Sequence, residues 1–293
     1  ARWEYDSAGR PLVLRLDDGT AWSYRYGGAP LPAAVEGPAG KAAYTYDELG
    51  RLTACTSPSG HAAAFNYGAA GRLERVVSPE GEAVAYRYND RGLVEAVETA
   101  RGNYRLEYDQ QGRLARLLYP NGVGVSYTYA AGPDVKSIVA RSAAGAVIHS
   151  EEYAYDPCGN VTSIVTRDGP TEYAYDDLCR LVSAGSPGGR METYQYDAAG
   201  NLVKTRQVER WEYSPDQELV QWGPRRLEYD LAGRLVRIQD GGRFKWNALG
   251  QLVEAASGPA TIAYLYDEQG RPVERRAGEH VTRYVYGAGY QLL

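Results

Sequence analysis

The chain has 293 residues and a formal net charge of −5 at pH 7, with 26 tyrosines and 34 glycines against two phenylalanines and one methionine. So small a net charge points neither to nucleic acid nor to an anionic membrane as a partner. No run approaches eighteen apolar residues, so no membrane insertion by this segment is expected. Rings with a polar tip, set among many glycines, point to β-sheet with frequent turns.

The first element, Trp3-Glu4-Tyr5-Asp6 with Gly9-Arg10, is a phrase that returns along the whole chain. It is fullest in Tyr44-Thr45-Tyr46-Asp47-Glu48-Leu49-Gly50-Arg51-Leu52, and it returns near the end as Tyr264-Leu265-Tyr266-Asp267 with Gly270-Arg271. With the second aromatic as anchor there are fifteen copies: 5, 26, 46, 67, 88, 108, 129, 155, 175, 196, 213, 229, 246, 266 and 286. All are Tyr except Trp246; Asp follows in eight and Asn in two. A fixed period of this length is the mark of a repeat architecture.

Tyr-x-Tyr places two rings on one face of a strand. Asp-x-x-Gly fits a type I turn closed by a left-handed residue, the usual three-residue hairpin loop. The loop sets Asp47 opposite Arg51 and Tyr46 opposite Leu52. One face is then expected to carry Tyr44, Tyr46, Leu52 and Ala54, and the other Thr45, Asp47, Arg51 and Thr53. The far ends of the hairpins are legible as Ser57-Pro58-Ser59-Gly60, Ser78-Pro79-Glu80-Gly81, Tyr119-Pro120-Asn121-Gly122 and Ser186-Pro187-Gly188-Gly189. Each period thus holds two strands of roughly seven residues and two turns, and no stretch has helical periodicity.

Anchor spacing is mostly 20 or 21 residues, widening to 26 between Tyr129 and Tyr155 and contracting to 16 or 17 between Tyr196 and Trp246. Keeping the tyrosines on one face over 21 residues requires one even connection per repeat, since a one-residue slip reverses the side chains. A two- or four-residue loop or a bulge is expected for this at the Pro-Gly end. Ala130-Ala131-Gly132-Pro133-Asp134, which lacks the usual turn phrase, is expected to form a longer surface loop. Between Tyr196 and Trp246 tight hairpins such as Asp240-Gly241-Gly242 should narrow the sheet.

Hairpins do not stand alone in water, so fifteen must pair edge to edge. About thirty strands at ~4.8 Å apiece make a ribbon roughly 140 Å long, and sheets of that width twist and coil. The expected fold is all-β: antiparallel hairpin repeats in one long curled sheet, spiralling into a hollow, barrel-like wall. With no linker and no shift of composition, residues 1–293 read as a single domain. The Ala1 start and the single Met191 point to a piece excised from a longer product.

Cys55, Cys158 and Cys179 are odd in number and lack metal or redox spacing. Two readings stay open: three free thiols, or a Cys158–Cys179 bridge between neighbouring hairpins. His61, His149 and His280 lie in different repeats without a second ligand type at zinc spacing. No nucleophile elbow, Walker loop or dinucleotide fingerprint is present. The expectation is therefore no enzyme, no catalytic residues, no metal and no cofactor, with the recurring Asp used to cap turns and pair with Arg. The tyrosine face has two readings, rings packed as an aromatic lining or rings exposed to stack on glycans. The exposure of Tyr44, Tyr46, Tyr173 and Tyr175 discriminates them. Trp22, Trp211 and Trp222, outside the strict phrase, are read as capping or seam contacts.

The recurring Tyr-x-Tyr-Asp-x-x-Gly-Arg-Leu phrase resembles the YD repeat of the RHS (rearrangement hotspot) proteins. That group includes wall-associated proteins of Gram-positive bacteria, C components of bacterial ABC toxin complexes and the animal teneurins. Leu118-Tyr119-Pro120-Asn121-Gly122-Val123 with Tyr127-Thr128-Tyr129 is similar to a standard repeat. The short repeats at 196–246, with Gly270-Arg271-Pro272-Val273 and Tyr284-Val285-Tyr286, resemble the end of an RHS core. The resemblance implies a spiralling β-shell that encloses or presents a C-terminal polypeptide or effector, secreted or at a bacterial cell surface. An adhesive module binding glycans is the alternative. The chain departs from the family in lacking the following region with paired Asp-Pro-x-Gly motifs. Asp156-Pro157-Cys158-Gly159 matches one such motif, but it lies inside an ordinary repeat, so self-cleavage is not expected there.

Overall fold

A computed structural model describes residues 1–186 and 188–286. Among them are 29 β-strands and no helix. Within each sheet strands pair antiparallel with neighbours in sequence, as in Arg2–Tyr5 with Pro11–Arg15 and Gly40–Tyr46 with Leu52–Thr56. Strands from Arg2–Tyr5 to Leu202–Thr205 form a 20-stranded sheet, and those from Trp211–Tyr213 to His280–Arg283 a nine-stranded one. The all-β antiparallel hairpin array is thus the observed fold.

The YD turn has one geometry throughout. The Asp47 amide donates to Arg51 O at 3.0 Å and the Gly50 amide to Asp47 O at 2.9 Å. Gly50 sits at φ 75, a left-handed position that glycine enters without a Cβ clash. The Asp47 carboxylate caps the loop by accepting from the Leu49 and Arg51 amides at 3.0 and 2.9 Å.

The parity problem is solved by a bulge, and the bulge is at the YD end. Tyr46 faces Leu52 as the turn requires, but Thr45 then faces Ala54 and Tyr44 faces Cys55, leaving Thr53 unpaired. The same shift follows Tyr108, Tyr175 and Tyr266. At the Pro-Gly end the ladder is regular: Cys55 faces Ala63, and the Ser57 amide donates to His61 O around a three-residue loop. That corrects both the expected site of the irregularity and the expected facing of Ala54, whose place beside Tyr44 is taken by Cys55. The bulge supplies the single odd step that a 21-residue repeat needs. In a 20-residue repeat a second such step comes from a two-residue loop, as where Gly37 faces Gly40. Either way the rings stay on one face.

The 26-residue interval is also corrected. The Ala130 amide donates to Asp134 O at 2.9 Å, so this loop is no longer than a YD turn. The extra residues lengthen the strands, to seven in Val135–Arg141 and nine in Val147–Tyr155. Between Tyr196 and Trp246 the strands do shorten, to three residues in Trp211–Tyr213 and four in Leu235–Ile238.

The contacts separate two compact units, residues 1–83 with 225–293 and residues 84–224. The first has a core. Trp22, Val35 and Phe65 are 3, 2 and 2 % exposed, and Leu14, Leu16, Trp22 and Val35 cluster with Tyr24 and Tyr44 against them. Gly37 makes room for this indole, since a Cβ there would lie 2.3 Å from Trp22 Cδ1. In the second unit no described residue is fully buried. Its sheet is held by ladders and by what links one repeat to the next.

Candidate functional site

What links the repeats is a ladder built from the two ends of the YD phrase. In most repeats the residue facing an anchor across the bulge offers its carbonyl to the hydroxyl of the next anchor. Val94 faces Tyr88, and Tyr108 Oη donates to Val94 O at 2.8 Å. The pattern repeats from Tyr67 to Leu52 O, Tyr129 to Leu114 O, Tyr175 to Val161 O and Tyr286 to Pro272 O, at 2.8–3.0 Å. At the one non-tyrosine anchor, Trp246 Nε1 donates to Leu235 O at 2.8 Å.

The Arg of each turn crosses the same junction. Arg113 Nε lies 2.7 Å from Asp109 Oδ2 in its own turn, Cζ lies 4.2 Å over the Tyr129 ring, and Nη1 donates to Gly132 O of the next turn at 2.6 Å. Arg51 over Tyr67 and Arg180 over Tyr196 do the same at 4.7 and 4.8 Å. The Arg51 amide, with lesser help from its guanidinium and the Leu49 amide, holds the Asp47 carboxyl below its ordinary value of 3.8 despite desolvation. Where Arg is replaced, Asn160 and Asn201 keep the bond to the turn Asp at 2.9 and 3.0 Å.

In the first unit, early repeats meet late ones. Tyr44 Oη donates to Glu268 Oε1 at 3.3 Å, and Cys55 Sγ donates to Tyr286 O at 3.5 Å. Burial first and the Glu268 charge second push the Tyr44 phenol up, and burial pushes the Glu268 carboxyl and the Cys55 thiol up too. A cavity of about 30 Å³ lies between Ala42, Tyr44, Cys55, Arg271, Val273 and Tyr286. A wider hollow of about 420 Å³ is lined by Asp18, Trp22, Trp246, Asn247, Tyr264 and Tyr266, which makes Trp22 a seam residue. Trp211 and Trp222 face each other across one hairpin with centroids 6.1 Å apart.

Nothing in these places assembles reactive groups. His61 Nδ1 sits 2.9 Å from Ser59 Oγ, His149 Nε2 is 3.1 Å from Glu151 Oε1, and His280 is exposed on its strand. Among the described residues no three His, Cys, Asp or Glu side chains gather around a common point. Asp156 caps its turn, accepting from the Cys158 and Asn160 amides at 2.9 Å. The three cysteines are free, Cys55 buried and Cys158 and Cys179 exposed. Tyr44, Tyr46, Tyr173 and Tyr175 are all half-buried, and the hydroxyls of Tyr44, Tyr46 and Tyr175 are spent on Glu268 Oε1, Pro32 O and Val161 O. The repeated residues are therefore committed to holding the array together. The phenol-to-carbonyl bond was missed from sequence because the carbonyl becomes available only through the bulge; the donor retained by Trp246 was the signal for it.

The double-stranded DNA deaminase toxin A of Burkholderia cenocepacia is 31 % identical over 135 residues, covering 42 % of this chain and 9 % of that protein. The tRNA3(Ser)-specific nuclease WapA of Bacillus spizizenii is 28 % identical over 163 residues, covering 49 % of this chain and 7 % of WapA. The chain thus spans about a tenth of these curated relatives. Among solved structures, the TcdB2-TccC3-TEV crystal structure superposes with a TM-score of 0.69 at 17 % identity, over 97 % of this chain and 20 % of that one. The Photorhabdus luminescens Tc holotoxin pore gives a TM-score of 0.68 at 17 % identity, over 97 % of this chain and 20 % of that one. A family model described as the teneurin YD-shell matches residues 41–141 and 137–292, and with the repeat geometry above it places the chain in the YD-shell family.

Proposed function

We propose that this chain is a non-catalytic segment of a YD-repeat shell, acting as one domain, whose task is to enclose or present an associated polypeptide such as a C-terminal effector. The observation that carries the reading is the use of most anchor hydroxyls and turn arginines for joining repeats, which supports wall-building as the chemistry of the motif. The toxin names of the bacterial relatives support an effector as the associated polypeptide. The deaminase and nuclease activities in those names are not carried onto this chain, which spans less than a tenth of those proteins. By the same analogy the proposed setting is a bacterial product that is secreted or displayed at the cell surface.

The test is to purify the natural full-length product and digest it briefly with trypsin, mapping the surviving peptides by mass. Under this reading a non-repeat polypeptide remains attached and resists cleavage until the array is unfolded. If every non-repeat segment is cut as fast with the array folded as with it unfolded, enclosure is wrong.

A further inference from the structure

Two consecutive YD turns break the rule of the array in matched ways. The turn Asp176–Arg180 carries Cys179 where the other Asp-x-x-Gly turns carry glycine, and Cys179 takes φ 59. A residue with a Cβ is strained there. The preceding turn, Asp156–Asn160, carries Cys158 at its third place and Asn160 in place of arginine.

Other repeats show what these places touch. The third residue of the 89–93 turn, Arg91, lies against the fourth of the next, so that a Cβ on Gly112 would come within 2.9 Å of Arg91 Nη2. The fifth residue crowds the same spot: a Cβ on Gly71 would meet Arg51 Nη1 at 3.5 Å, and one on Gly270 would meet Gln251 Nε2 at 3.0 Å. Asn160 is shorter than arginine and is folded back onto Asp156 Oδ2 at 2.9 Å, so no guanidinium extends from the fifth place toward the next turn. Cys158 holds the same third place in its turn that Arg91 holds in the 89–93 turn. The two strands between these turns are paired from Ser163–Glu172 to Thr166–Gly169, and Tyr175 Oη on Val161 O at 2.9 Å fastens the turn ends together.

We propose that Cys158 and Cys179 are a redox modification site, closing to a disulfide that staples two neighbouring turns of the second unit. The oxidant is a small-molecule disulfide, R–S–S–R. One cysteine, as thiolate, attacks a sulfur of R–S–S–R and expels R–S⁻, which takes up a proton. The second cysteine, having lost its proton, displaces the other R–S⁻ and forms the Cys158–Cys179 bond. The protein loses two electrons and two protons, and one R–S–S–R becomes two R–SH. Cys55 is buried and takes no part. The staple falls in the unit where no described residue is fully buried, and there a covalent tie between adjacent repeats restrains most.

The experiment incubates the intact chain with oxidised glutathione or with dithiothreitol, then quenches, unfolds and alkylates it. After oxidation the alkylated thiols should fall from three to one, the intact mass should drop by two hydrogens, and a peptide joining Cys158 to Cys179 should appear only without reductant. The oxidised form should also melt at a higher temperature than the reduced form. Cys158→Ser and the double variant Cys158→Ser with Cys179→Gly should lose the linked peptide and the melting shift while keeping the β-sheet circular dichroism spectrum. Glutathione adducts on both thiols with no linked peptide, a bridge to Cys55, or only intermolecular dimers would overturn the proposal.

Discussion

Removing the hydroxyl of one anchor isolates the bond between repeats. In Tyr108→Phe the ring keeps its place, so no cavity opens, and only the 2.8 Å bond to Val94 O is lost. A hydrogen bond of this kind contributes about 0.5–1.5 kcal/mol net. Because Val94 is half-buried and its carbonyl regains some water, about 1 kcal/mol is the expected loss. Tyr127→Phe is the internal control: that ring lies two residues before an anchor and its hydroxyl has no bond of this kind, so it should change stability by less than about 0.5 kcal/mol. For a chain of this size 1 kcal/mol moves the melting temperature by about 2 °C. The triple variant of Tyr108, Tyr155 and Tyr196 to Phe, in well-separated repeats, should lose about 3 kcal/mol. Urea and thermal melts followed by circular dichroism read both quantities. If Tyr108→Phe is as silent as Tyr127→Phe, the ladder does not hold the repeats together.

Arg113→Lys keeps the charge but loses the fork onto Asp109 and Gly132 O and the flat stacking on Tyr129, and should cost about 1 kcal/mol in a urea melt. Gly112→Ala forces a Cβ into a φ of 83, within 2.9 Å of Arg91 Nη2, and should cost about 1–2 kcal/mol by the same measurement. Glu268, whose carboxyl is pushed above its ordinary 4.5 by burial, is protonated in both states below that value, and stability is lost as pH rises through its folded value. Glu268→Gln should therefore melt higher than wild type at pH 7, with the gap closing below pH 4.5; a gap that widens on acidification would refute this. The capping aspartates have the opposite sign. Asp47 and Asp176 sit below 3.8 in the folded chain, so their contribution is present above 3.8 and goes as pH falls through the folded values, which an acid titration of Asp47→Asn against wild type should show.

The fold was legible because each repeat states it locally. Tyr-x-Tyr sets the face, Asp-x-x-Gly sets the turn, and fifteen statements of one phrase leave little room for another answer. What stayed hidden depended on register. Parity demanded an irregular step in each 21-residue repeat, but the choice between the two ends rests on backbone geometry beyond the Arg, which no residue type announces: Thr53, the unpaired residue, is an ordinary strand residue. The wide interval misled for a similar reason. Ala130–Asp134 lacks the Asp and Gly of the phrase, yet it makes the same bond because its neighbours in the ladder impose it. The absent turn signal suggests a longer loop, whereas the added residues extend strands that already pair.

In the second unit none of the described residues is fully buried, and the chain's composition shows how such a sheet stands. A half-exposed ring offers limited stabilisation through burial alone, so the array adds a directed bond at most junctions. That bond needs a donor at the anchor and nowhere else on the face. Both phenylalanines of the chain, Phe65 and Phe244, lie two residues before an anchor, where no donor is called for. None of the fifteen anchors is Phe, and the one that departs from Tyr, Trp246, keeps an N–H in the same role. A chain selecting only for hydrophobic area would have no reason to sort Phe from Tyr in this way. The sorting follows once each bulge leaves a carbonyl that the next repeat must satisfy.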